Sequence, residues 1–353
     1  MAAAKTPVAG VAITIAIGAV GGAIFFYLHL PLAWMLGALT ASTLAALFGA
    51  PLAFSLPLRN VMLAVLGALL GSAFTPDIAD RLSHWAGGLG VMLVFIVGMG
   101  VLAVIYFIRI GGYDRITGYF CATPGGLGEM TIIGEQEGGD PRVIPLVHAT
   151  RVLLVIFLLP LYLNYVEGFD VPAMANLEGD RPPITWGEMV LLGVLAASGS
   201  VAATWLRLPG ACLVGPMLIC ATAYAGGLIE GRPPTLLVAL AQIVIGASLG
   251  ARFVGLKFRE VGRTMLFAAG SALLMLAGAI VVSKLTAPFL GFSSTAILLA
   301  LAPGGMAEMS LVALALNYDT AFVATMHIVR ILFIIMLAPL VFRLLGWGRR
   351  KAG

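Results

Sequence analysis

Pro124-Gly125-Gly126-Leu127-Gly128-Glu129-Met130 recurs 179 residues downstream as Pro303-Gly304-Gly305-Met306-Ala307-Glu308-Met309, and this recurrence decides how the chain is read. The same register runs without a gap from Pro124–Pro160 against Pro303–Pro339. It yields 12 identities in 37 positions, among them Asp140/Asp319, His148/His327, Arg151/Arg330 and Pro160/Pro339. Agreement of that extent marks an internal duplication. The register also pairs Gly67 and Gly71 with Gly246 and Gly250, a small-xxx-small spacing suited to tight helix packing in lipid. At an offset of 178, Leu30-Pro31 matches Leu208-Pro209 and Gly37 matches Gly215. The chain therefore divides into a first repeat (residues 1–166), a polar linker (167–184) holding Glu167, Asp170, Glu178, Asp180 and Arg181, and a second repeat (185–353).

Composition places both repeats in a membrane. Apolar residues make up 61% of the 353 and charged residues 10%, with a mean hydropathy of +1.06; soluble domains carry about 25% charged residues. Long apolar runs recur near the roughly 20 residues a helix needs to cross the hydrocarbon core. The first, Val8 to Leu28, has no small-residue cleavage site and reads as a retained helix. Cys121, Cys212 and Cys220 lack CxxC spacing and read as packing residues. The net charge of +4 is spread over short loops, not gathered on one basic module, so no nucleic-acid partner is expected.

Each half offers five spans and one segment centred on Pro-Gly-Gly. The spans lie near 8–28, 30–49, 59–75, 86–108 and 143–166, then 185–205, 210–229, 235–253, 264–285 and 321–345. If the segments 114–135 and 293–316 are re-entrant hairpins or broken helices, the halves are inverted. Fourteen Lys and Arg then fall on the cytoplasmic side, with Arg81, Arg181, Arg232 and Lys284 on the other. A twelve-span arrangement gives 11 against 7, a poorer positive-inside bias. The expected fold is all-α and integral to the membrane. It has about ten transmembrane helices in two inverted five-helix repeats, with both termini cytoplasmic.

Pro124, Gly125 and Gly126, like Pro303, Gly304 and Gly305, break a helix within the membrane, because Pro removes a donor and Gly permits a sharp reversal. Irregular backbone at that depth is tolerated where it is buried in protein or lines a wet cavity. Glu129 and Glu308 sit just beyond the breaks, and intramembrane carboxylates are candidate ligand or ion sites. His148 and Arg151, and likewise His327 and Arg330, are three residues apart and share a helix face. A guanidinium in such a run needs a carboxylate, either the duplicated glutamate or an anionic ligand competing with it. The histidines could relay protons or serve as hydrogen-bonded structural groups. Asp140, followed by Pro141, reads as a helix N-cap, and Glu135 and Glu137 read as a solvated loop. The two Pro-Gly-Gly turns with Glu129, Glu308, His148, Arg151, His327 and Arg330, twelve residues in all, form the expected substrate or ion site; no metal and no cofactor is expected.

With its two Pro-Gly-Gly-x-x-Glu-Met motifs and downstream His-x-x-Arg, the chain resembles the AbrB family of duplicated bacterial membrane proteins over both halves. Members have carried the labels regulator of gene expression and ammonia monooxygenase. A monooxygenase needs clustered ligands for copper or iron, and the four histidines do not supply them, since His29 and His84 sit at loop edges. No helix-turn-helix or basic soluble domain is present to read DNA. Inverted repeats with broken segments meeting near the midplane recur in secondary transporters. The expectation is a non-enzymatic inner-membrane secondary transporter of a small metabolite, anionic or amphipathic, coupled to an ion and forming a homo-oligomer. The alternative is a membrane sensor acting indirectly on gene expression.

Overall fold

The apolar runs fold as helices because backbone groups facing lipid must bond within their own segment. The computed structural model describes residues 8–74, 78–169, 182–256, 258–316 and 318–347. Lys5, Asp170, Glu178, Asp180, Arg181, Lys257, Arg349, Arg350 and Lys351 lie outside them. Fourteen α-helices follow among the described residues. They are α1 (Val8–Tyr27), α2 (Ala33–Leu47), α3 (Leu56–Gly71), α4 (Ile78–Ile105, continued by a π turn to Ile110), α5 (Arg115–Ala122), α6 (Leu127–Glu137) and α7 (Val143–Tyr165), then α8 (Trp186–Trp205), α9 (Ala211–Ala225), α10 (Thr235–Gly250, continued by a 3₁₀ turn to Phe253), α11 (Phe258–Leu290), α12 (Ser294–Leu301), α13 (Met306–Ala315) and α14 (Thr320–Leu344). The helix ends follow the two sequence registers. α1 and α2 map onto α8 and α9 at 178 residues, and α3 and α5 onto α10 and α12 at 179.

Among the described residues, seven helices are long and apolar enough to cross a membrane: α1, α4, α7, α8, α10, α11 and α14. The molecule is thus an all-helical, multi-pass membrane protein. The expected spans near 30–49, 59–75 and 210–229 form as α2, α3 and α9, of 15, 16 and 15 residues. At 1.5 Å per residue these reach about 22–24 Å, short of a hydrocarbon core of about 30 Å. Their ends have local causes. Ser55 caps α3 with Pro57 in its first turn, and α9 lies between Gly210, at φ 62°, and Gly226.

The helices gather into two compact units, each drawing on both halves of the chain. The first comprises residues 1–81, 156–260 and 310–321. Within it α1 packs on α2, α8 on α9, α3 on α9, and α10 on α2. Glycine lets the backbones touch. A Cβ on Gly37 would strike the Gly21 carbonyl, and one on Gly215 would strike that of Gly199, the same contact at the 178 register. A Cβ on Gly71 would lie 2.9 Å from the Met217 carbonyl oxygen, and one on Gly246 2.5 Å from that of Met35. The glycine pairs of α3 and α10 thus each seat their helix against a helix of the other half.

The second unit comprises residues 82–155, 261–309 and 322–353. Along α4, Val94, Val97 and Val101 are all more than half exposed; such an apolar stripe suits lipid. His84 lies inside α4, not at a loop edge. α5 and α6 fold back on each other. The Asp140 amide, beyond the end of α6, donates to the Thr117 hydroxyl near the start of α5 at 3.0 Å, and Gly134 abuts the Phe120 side chain.

Candidate functional site

All twelve expected site residues lie in the second unit, and most of the arrangement follows from interrupted helices. Pro124 ends α5 after its C-cap, Thr123, and α6 starts again at Leu127 with Gly126 as N-cap. Pro303 and Gly305 divide α12 from α13 in the same way. Each break leaves the last carbonyls of one short helix and the first amides of the next without intrahelical partners.

The glutamates answer the amide ends. Glu129 and Glu308 occupy the first turns of α6 and α13, where the positive end of the helix dipole favours a carboxylate. Each curls back over its own motif, so that a Cβ on Gly126 or Gly305 would run into the carboxylate. This explains the second glycine of the motif without any appeal to ligand. Glu308 is buried and Glu129 half-buried.

The histidines answer the carbonyl ends in the same manner in both halves. His148 Nε2 lies 3.0 Å from the Phe120 carbonyl oxygen, and His327 Nε2 lies 2.9 Å from that of Leu299. A carbonyl only accepts, so Nε2 carries the proton in each. Both rings are fully buried.

The arginines part company. Arg330, 4% exposed, donates from Nη1 to the Ala302 carbonyl at 2.6 Å and from Nη2 to the Gly304 carbonyl at 2.9 Å. It therefore binds the negative end of α12 and the turn that follows. Arg151, 2% exposed, reaches His148 Nδ1 at 2.8 Å instead, and its Nε and Nη1 have no partner among the described residues. Neither guanidinium meets a carboxylate there, contrary to the expected pairing with Glu129 and Glu308. The glutamates are held locally by helix ends, and Arg330 finds carbonyls closer to hand.

The expected N-cap is present: Asp140 Oδ1 accepts from the Arg142 and Val143 amides at 2.8 and 3.2 Å. Glu135 and Glu137 differ from the loop expected of them and form the last turn of α6, where Glu137 lies 3.9 Å from Arg343. Among the described residues, no three His, Cys, Asp or Glu side chains gather as a metal site.

One feature was invisible in the sequence. A cavity of about 390 Å³ lies between α4 and α14 and is lined also by Tyr119 of α5 and by Thr123 and Pro124 of the first break. Its walls include Gly100, Val101, Ile334 and Leu337. Apart from Tyr119, Thr123 and Trp347 its side chains are apolar, and they come from helices so far apart in sequence that no single motif marks the set.

Residues 34–346, which contain all twelve site residues, match the family described as Transition state regulatory protein AbrB. The chain belongs to the AbrB family. Two relatives are similar nearly end to end. "Uncharacterized protein YhjN" of Bacillus subtilis (strain 168) is 30% identical, over 94% of this chain and 92% of that protein. "Putative regulator AbrB" of Escherichia coli (strain K12) is 25% identical, over 91% and 92%.

Proposed function

We propose that this AbrB-family protein is a secondary transporter of a small organic anion, coupled to H⁺ or Na⁺ through Glu129 and Glu308. The observation that carries the reading is Arg151, a buried guanidinium beside a helix break with unpaired N–H groups. Burying a charge without a counter-ion is costly, and an anionic ligand is the natural compensation. Repeats of residues 1–166 and 185–353, joined by the linker 167–184, form ten spans when α2, α3 and α9 cross with their flanking turns. The α5–α6 and α12–α13 segments are then re-entrant from opposite faces, which suits alternating access about a site near the midplane. The protein lies in the inner membrane with both termini cytoplasmic, its partners being the bilayer, the anion and a second copy of the chain. It carries out no chemical transformation.

Flux in proteoliposomes tests this. Wild type should accumulate at least one anion from a carboxylate, sulfonate and phosphate panel when a proton or sodium gradient is imposed, and Glu129→Gln/Glu308→Gln should uncouple that uptake. Absence of gradient-dependent flux across the panel sinks the transporter. The name of the Escherichia coli relative favours a second reading, a sensor that binds the anion without moving it. Saturable binding with no flux, together with crosslinking to a cytoplasmic partner, distinguishes it.

A further inference from the structure

The two half-sites agree at the histidines and diverge at the arginines, and the break of the half that diverges contributes Thr123 and Pro124 to the cavity wall. Arg330 is committed to the Ala302 and Gly304 carbonyls. The corresponding acceptors in the first half are the carbonyls of Thr123 and Gly125, and the Thr123 carbonyl already accepts from the Gly125 amide at 2.8 Å. Arg151 is left with His148 alone, on a nitrogen that can only accept while Nε2 holds the proton. The side chain is nine-tenths buried or more, yet Nε and Nη1 remain unpartnered.

Thr123 and Pro124, the residues that end the first helix of this half-site, line the 390 Å³ cavity. That volume lies within the range of about 300–1,000 Å³ typical of small-molecule pockets. The rest of its wall is largely apolar, and both hydroxyls of the lining are taken up, Tyr119 donating to the Ala338 carbonyl at 2.7 Å and Thr123 to the Tyr119 carbonyl at 2.8 Å. Val97 and Val101, more than half exposed, leave the cavity open along the flank of α4. A cationic donor with unpaired N–H groups, set in register with a break whose Thr123 and Pro124 line an apolar chamber, complements a molecule that has one anionic end and one hydrocarbon end.

We infer that the first half-site, not the second, is the ligand site, and that it takes an amphipathic monocarboxylate: the carboxylate on Arg151, the hydrocarbon tail in the cavity beyond Thr123 and Pro124. Arg330 is the structural counterpart, a clamp on the second break. A single uncommitted guanidinium balances one negative charge, and a planar carboxylate suits its donors. At the 179 register Arg151 stands to Thr123 and Gly125 as Arg330 stands to Ala302 and Gly304, and Thr123 is the residue of that turn that lines the cavity. This inference rests on the transport reading and specifies its substrate class.

The test is equilibrium binding of acetate, butanoate, hexanoate and octanoate to the full chain in lipid nanodiscs, with empty nanodiscs subtracted. Affinity is expected to rise about fourfold per added methylene until the cavity is full. Hexanol should not compete. Arg151→Gln should weaken octanoate by at least about tenfold, the equivalent of one charge-assisted hydrogen bond. Gly100→Leu fills the chamber, since a Cβ at Gly100 meets nothing within 4 Å. It should abolish the chain-length gain and leave acetate unchanged, while Arg330→Gln keeps the whole series. Equal loss in Arg330→Gln, no loss in Arg151→Gln, or no chain-length dependence overturns the inference. So does recovery of an acidic membrane lipid from wild type but not from Arg151→Gln, which would make a bilayer lipid the occupant. If other anions move in an Arg151-dependent flux while the series fails to bind, this inference falls and transport stands. If the series binds as expected and nothing moves, transport falls and the site stands.

Discussion

Arg151 donates from Nη2 to Nδ1 of His148, one helical turn back and 2.8 Å away. The acceptor role fixes the ring as neutral, because a second proton on Nδ1 would face the guanidinium. His148 thus has both nitrogens engaged, one on Arg151 and one on Phe120, which leaves no nitrogen free to relay protons in this arrangement. His327 differs, with Nδ1 buried and unpartnered among the described residues.

The unequal arginines predict unequal variants. Arg330→Gln removes two charge-assisted bonds and leaves the Ala302 and Gly304 carbonyls short of donors, at a cost of roughly 2–4 kcal/mol. Arg151→Gln removes a poorly compensated buried charge, and its stability should stay within about 1 kcal/mol of wild type or rise above it. Unfolding curves of the two variants in the same detergent, without added ligand, check the sign. Equal destabilisation would show that Arg151 is as well paired as Arg330.

The motif glutamates offer a second contrast. Glu129→Gln should cost about 0.3–2 kcal/mol through the lost charge at the start of α6. Gly126→Ala forces the same carboxylate aside, because the new Cβ meets its oxygens. The two effects should overlap, so the double variant Gly126→Ala/Glu129→Gln should be more stable than the sum of the singles by at least about 0.5 kcal/mol. Additive losses in a double-mutant cycle would separate the glycine from the carboxylate.

Much of the helical pattern was legible because Pro and Gly punctuate the apolar runs. The ends of α5 and α12, at Ala122 and Leu301, fall just before Pro124 and Pro303, where a missing donor stops each helix. The His–Arg faces were legible from their spacing of three. Their partners were not, because Phe120, Leu299 and Ala302 contribute main-chain oxygens, which leave no trace in side-chain identity. The expected Glu–Arg pairs failed for a related reason. A break that strands carbonyls on one side and amides on the other offers both charges partners of its own, nearer than each other. The same symmetry that revealed the repeat hid the difference between Arg151 and Arg330, since identical residues in register predict identical roles.

The glycine contacts of the first unit predict a steep local effect. Gly37→Ala and Gly215→Ala each place a methyl against the backbone of the partner helix, at Gly21 and Gly199, where no side chain can move aside. Each should cost about 1–3 kcal/mol. Gly98→Ala in α4 meets nothing within 4 Å and should be neutral or stabilising by up to about 1 kcal/mol through helix propensity. Thermal unfolding of the three variants decides, and a loss in Gly98→Ala as large as in Gly37→Ala would mean that the close approaches are not what holds the helices.

The inverted arrangement predicts where two equivalent positions face. Glu135, exposed near the end of α6, and Leu314, near the end of α13, correspond at the 179 register. α6 returns to the start of α5 through the Asp140–Thr117 bond, so the far end of the first hairpin opens on the face from which it entered. If the halves are inverted, the second hairpin enters from the other face. In a background with Cys121, Cys212 and Cys220 replaced by alanine, Glu135→Cys should react with an impermeant maleimide from one side of the membrane only, and Leu314→Cys from the opposite side only. Right-side-out and inside-out vesicles supply the two faces. Labelling of both cysteines from the same face would make the repeats parallel and the Pro-Gly-Gly segments full spans, and the charge bias of the loops would then need another cause.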